Sequence, residues 1–222
     1  VLALAVFWLP DVAREHALRV VPAVKRAEIG RALVAHLHRA TGPACRGPGG
    51  RAALSALARR LPPREGTARF EVVRKGIDGV LRLPGGTMLI AAALVEEHEE
   101  PDVVAGHIIA AYLRAEAQDP LDRLLAEVGP VASLRLLATG RLTDGDLQDH
   151  AETLVQTPRD TPSVPAMLDG FAHWQVRATP YARVTGSTGT ALEQNDPFGP
   201  SVTPPPPILA DGDWLRLQAI CG

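Results

Sequence analysis

Residues Leu83 to Glu116, LPGGTMLIAAALVEEHEEPDVVAGHIIAAYLRAE, constrain the fold of this chain more than any others. Pro84–Gly85–Gly86 reads as a tight turn. A short apolar strand follows it and leads into a helix ending in EEHEE. Pro101 then opens a second helix, with proline and Asp102 where a helix start favours them. Its composition is that of a buried helix, and it carries one histidine, His107.

The flanks are mainly helical in pattern. From Asp11 to Arg39, apolar residues recur at helix-like spacings, and Pro22 is expected to kink or divide the segment. Thr41 to Gly50 is a loop whose glycines match no phosphate-binding pattern. Arg51–Leu61 reads as a short amphipathic helix. Ala68–Lys75 alternates like a strand, and Ile77–Leu83 is expected to pair with it as a hairpin through Gly76. Short helices are expected at Leu121–Val128, Val131–Ala138, Thr143–Gln156 and Val164–Trp174, with Thr143 as a cap. Val176 to Pro207 is poorly periodic and reads as an extended arm. Asp211–Ile220 closes the chain as an amphipathic helix. The expected fold is α+β, mainly helical, with a small β-hairpin or sheet.

The formal net charge of −2 argues against a nucleic-acid binder, which would normally show a basic face. Arginine carries nearly all the positive charge, since Lys25 and Lys75 are the only lysines. Residues 1–9, VLALAVFWL, are apolar, but a membrane-spanning helix needs about 20 such residues. They are either a buried segment or the tail of a membrane anchor that would tether the protein. Cys45 and Cys221 are either two separate thiols or one disulfide. A bridge would staple a chain end that otherwise frays and would imply an oxidising compartment.

The order of hairpin, Leu-Pro-Gly-Gly, apolar strand, acidic loop and histidine-bearing helix resembles the HExxH zinc metallopeptidases. That family includes CAAX prenyl endopeptidase, HtpX and the periplasmic BepA-type peptidases. The resemblance runs from Glu28-Ile29-Gly30 to Trp174 and is most specific at Leu83–Gly86. It implies a zincin-like domain over residues 11–175, with 176–222 packed on it and 1–10 as an anchor remnant. It places His107 on the first zinc histidine, Ile108 on the general-base glutamate and Ala111 on the second histidine. Gln148 falls on the third ligand and Glu152 on a following aspartate. In HExxH, histidines at i and i+4 share one helix face and bind one zinc, while the glutamate activates water. Neither Ile108 nor Ala111 has a lone pair to offer.

The resemblance therefore implies a pseudopeptidase with no catalytic residue and no metal, working as a periplasmic or otherwise extracytoplasmic module for a peptide or protein partner. The strand Thr87, Met88, Leu89, Ile90 and Ala91 is the expected edge for an added peptide strand. One alternative is an active zinc peptidase with a rearranged site using His107, His150 and a carboxylate. Another is a structural subunit of a membrane-associated assembly. His36 and His38, two residues apart, face differently on a helix, and EEHEE reads as a solvated helix end. Ser187 lacks the nucleophile elbow.

Overall fold

A computed structural model describes residues 12–186 and 188–222. The apolar run at residues 1–10 and Ser187 lie outside the described residues. Residues 12–20 form helix α1, and α2 (Ala23–Thr41) follows across Pro22, the expected break. After α3 (Gly50–Arg60) come strands β1 (Arg69–Val73), β2 (Val80–Arg82) and β3 (Thr87–Ala91). Helices α4 (Ala92–Glu96), α5 (Pro101–Ala117), α6 (Pro120–Thr139) and α7 (Asp144–Gln156) follow. The chain ends with α8 (Val164–Trp174), α9 (Ala178–Val184), α10 (Gly189–Gln194) and α11 (Asp211–Gln218). It is a mostly helical protein with a small mixed sheet. Thr143 and Asp146 form a complete capping box at the start of α7. Gly129, at φ 84°, and Pro130 break α6 into two arms.

The sheet order is β1-β3-β2, with β3 parallel to β1 and antiparallel to β2. The expected hairpin between β1 and β2 does not form, because β3 lies between them. Every residue of β3 is buried, so its backbone groups need partners on both sides. The central position supplies them. β1, with Arg69 and Glu71, and the three-residue β2 take the edges, where polar or short strands belong. This also corrects the expected peptide-binding edge: Thr87–Ala91 is paired along both sides, and the outer strands are β1 and β2.

Side chains alternate across the sheet with period two. Phe70, Val72, Val80, Met88 and Ile90 join one core with α3, α5 and α8. Val73, Leu81 and Leu89 join a second core with α2, α6 and α7. Pro84–Gly86, a 3-10 turn, docks against α2. Gly30 of α2 leaves room for the carbonyl of Pro84, and Gly85 lies against the backbone of Ala27. Both turn glycines have positive φ, +74° and +87°. The Leu-Pro-Gly-Gly motif is thus a packing device joining β2, β3 and α2.

The expected extended arm is shorter than its pattern suggested. Residues 178–184 and 189–194 are helical, and Tyr181 and Leu192 are buried. Residues 195–207, with the tetraproline at their end, are irregular. Arg60 holds this region by donating to the carbonyls of Trp174 (2.7 Å), Gln175 (2.7 Å) and Pro206 (3.1 Å). Helix α11 docks on the acidic loop after α4. The Trp214 indole donates to the Glu99 carbonyl (2.8 Å), and the Gln218 amide to that of His98 (3.0 Å). EEHEE thus serves partly through its backbone.

Cys45 and Cys221 form a disulfide, with Cα atoms 4.9 Å apart. The bond is consistent with an oxidising, extracytoplasmic environment. Among the described residues, no helix is long and apolar enough to cross a membrane.

Candidate functional site

Helix α5 runs through the middle of the molecule, with eleven of its seventeen residues buried. Pro101 starts it. Asp102 in the first turn is clasped by Arg177, with Nε at 3.1 Å and Nη2 at 2.9 Å. That pair ties the segment entering α9 to the start of α5. Helix α9 then lies along α5 at Gly106, where a Cβ would come 2.4 Å from Cδ2 of Tyr181. Glycine at 106 is what lets Tyr181 approach.

His107 is enclosed by packing. Its ring meets Tyr181 edge-on, centroids 5.0 Å apart at 76°. Its Nδ1 lies 3.7 Å from where a Cβ would project at Gly79. Burial pulls its pKa down to about 4, helped by the charges of Arg114 and His98 and opposed by Asp78. The ring is neutral at pH 7. The C-terminal segment therefore covers this histidine with Tyr181.

That enclosure predicts a pH effect. The unfolded chain takes up a proton at His107 near the ordinary value of 6.5, while the folded chain resists until about 4. Stability is full above pH 6.5 and falls as pH drops towards 4. After discounting for partial exposure, the loss is roughly 2–3 kcal/mol. Urea melts of the wild type and His107→Gln between pH 4 and 7 will show a shallower acid limb in the variant. Parallel curves would refute the assignment.

Ile108 is fully buried in the core and Ala111 nearly so. The other motif positions do not converge on His107. Gln148 and Glu152 are exposed, hydrogen-bonded to each other (3.0 Å), and line a groove against His36 and Arg39 of α2. His150 points the opposite way. It is buried, and its Nδ1 is 2.7 Å from Oε2 of Glu127 on α6. Burial lowers its pKa, and the Glu127 carboxylate opposes this. Among the described residues, no three or more His, Cys, Asp or Glu side chains form a group that could hold a metal ion. The alternative set of His107, His150 and a carboxylate is therefore not assembled, and EEHEE forms no such group either.

One wall shared by α5 and α7 is nevertheless open. Ala111, Arg114 and His150 line a cavity of about 730 Å³ with β2, α6 and loop 157–162. β2 presents an outer edge there. Leu83 N–H bonds the Thr87 carbonyl and Ala91 N–H the Gly79 carbonyl, so residues 79, 81 and 83 face β3. Val80 and Arg82 direct their backbone groups away from it. The Val80 carbonyl accepts from Nη2 of Arg114 at 3.1 Å.

The sequence pattern pointed to Ala111 and His150 but missed this cavity's three arginines outside β2, Arg114, Arg123 and Arg159. They come from α5, α6 and a loop, and no local spacing links them. No protein-family model matches the chain, and no curated protein matches it.

Proposed function

We propose that the chain is a non-catalytic, metallopeptidase-like binding module: a zincin-type core that holds a peptide or protein partner outside the cytoplasm. The observation that carries this reading is Ile108. At the position overlaid on the general base, the structure has a side chain fully buried in the hydrophobic core. A base must reach a water beside the scissile bond, and no substitution of role is open to an isoleucine. The neutral, Tyr181-covered His107 supports the same reading. The disulfide supports the location.

The partner surface in this reading is the cavity beside β2, the edge strand nearest α5, instead of β3. A quenched-fluorescent peptide mixture incubated with the protein, with and without added zinc, tests the catalytic half of the proposal. No turnover is expected in either condition. Turnover that disappears in His107→Ala would refute it.

A further inference from the structure

Four arginines line the cavity beside β2; Arg82 lays its guanidinium over the Tyr112 ring, and the other three, Arg114 from α5, Arg123 from α6 and Arg159 from loop 157–162, lie close enough to repel one another. In a chain of net charge −2 this is a local concentration, not a general basic character. Among the described residues, none of the three is paired with a carboxylate. Arg114 donates to the backbone carbonyls of Val80 (3.1 Å) and Asp160 (3.4 Å). Arg159 donates to the carbonyl of Asp78, while its Nε and Nη2 are buried without a partner. Arg123 makes no side-chain hydrogen bond or ion pair among the described residues.

Such a cluster is costly. Burial, with added repulsion from Arg159 and Arg123 and opposed by Tyr181 and Asp160, pulls the pKa of Arg114 down to about 10. Burial and Arg123 lower that of Arg159, with Asp78 opposing. Partly buried like charges that bond no carboxylate directly destabilise a fold. A ligand anion would relieve both the repulsion and the unpaired nitrogens.

We propose that this cavity binds the terminal carboxylate of a peptide, with Arg114, Arg123 and Arg159 around the carboxylate and Leu81, Leu113 and Leu154 against the residues behind it. The proposal rests on the binding-module reading and names the chemistry of its ligand. Two features favour a peptide carboxylate over a phosphate. Glu127 and Asp160 also line the cavity; they repel a dianion but accept from peptide N–H groups. The volume of about 730 Å³ exceeds what a lone oxyanion fills and is in the range of small-ligand sites. The backbone of Arg82, turned away from β3, adds a polar rim.

The test compares three probes at fixed ionic strength by calorimetry and thermal shift. They are an equimolar mixture of acetylated pentapeptides varied at the last two positions, the same mixture as C-terminal amides, and inorganic phosphate. The free acids should bind at least tenfold more tightly than the amides, and phosphate more weakly than the acids. Arg123→Gln and Arg159→Gln should each weaken acid binding tenfold or more. Arg123→Gln should do so with thermal stability unchanged or raised, because it removes repulsion and no hydrogen bond. Equal binding of acids and amides, or unchanged binding in Arg123→Gln, overturns the proposal. Phosphate binding as tightly as the acids overturns the assignment to a peptide. Mass spectrometry of the same samples separates the two levels of inference. Cleaved peptides with intact acid selectivity refute the non-catalytic reading and leave the carboxylate site standing.

Discussion

Replacing Cys221 with serine should lower the unfolding free energy by about 2–5 kcal/mol. The bridge joins residues 176 positions apart, so most of the 222-residue chain, from α3 onward, lies inside the loop it closes. In the chain-entropy picture, a loop of that size restricts the unfolded ensemble by about 5 kcal/mol. The native side also depends on the bridge. Gly47 donates to the Ile220 carbonyl (2.7 Å), and Cys45 donates to the Val72 carbonyl of β1 (2.8 Å). The closing helix is thereby tied to the sheet edge through loop 42–49. Urea melts of wild type and Cys221→Ser, and of wild type with reductant, check this. The reduced protein and the variant should agree, and proteolysis should begin between α10 and α11. A loss below about 1 kcal/mol would mean that Trp214 and Gln218 hold the terminus unaided.

Gly86→Ala should cost more than about 3 kcal/mol or prevent folding altogether. A Cβ there would lie 1.9 Å from the Thr67 carbonyl oxygen, and φ is +87°. The obstacle is backbone, so no rotamer change relieves it, and the substitution pays both overpacking and dihedral strain. Gly30→Ala should behave similarly, since its Cβ would lie 2.1 Å from the Pro84 carbonyl oxygen. Gly42→Ala is the control. Its φ is +73° but nothing lies within 4 Å, so it should lose about 1 kcal/mol. Thermal melts and soluble yield of the three variants decide the matter. Equal losses at 86 and 42 would show that the Leu-Pro-Gly-Gly turn is not wedged as described.

Much of the helical scaffold was legible because its signals are local. Pro22, Gly129–Pro130, the Thr143 cap and the Pro101–Asp102 start each act within a few residues. Strand pairing was not, because it depends on which strand most needs two neighbours. Met88, Leu89 and Ile90 are buried on both faces, so β3 displaced the short-range hairpin. Helices α9 and α10 were hidden by their length and by Pro180; α5 offers Gly106 as a seat for Tyr181 of α9, and Gly189 of α10 packs against the Ala182 carbonyl of α9. The site divided along the same line. His107 and Ala111 were visible as positions of the motif that the sequence resembles, and His150 as an alternative metal ligand. That Tyr181 closes over His107, and that Gln148 and Glu152 face α2, depends on helix packing. The arginine cavity was obscured by composition, since arginine supplies nearly all the chain's positive charge and no single one stands out.

The central claim of the proposed function is that His107 holds no working metal centre. Elemental analysis of protein purified without chelator, then dialysed against micromolar zinc and desalted, tests it most directly. The account predicts zinc far below one ion per chain, unchanged in His107→Ala. One zinc per chain, lost in His107→Ala and accompanied by casein cleavage, would contradict it.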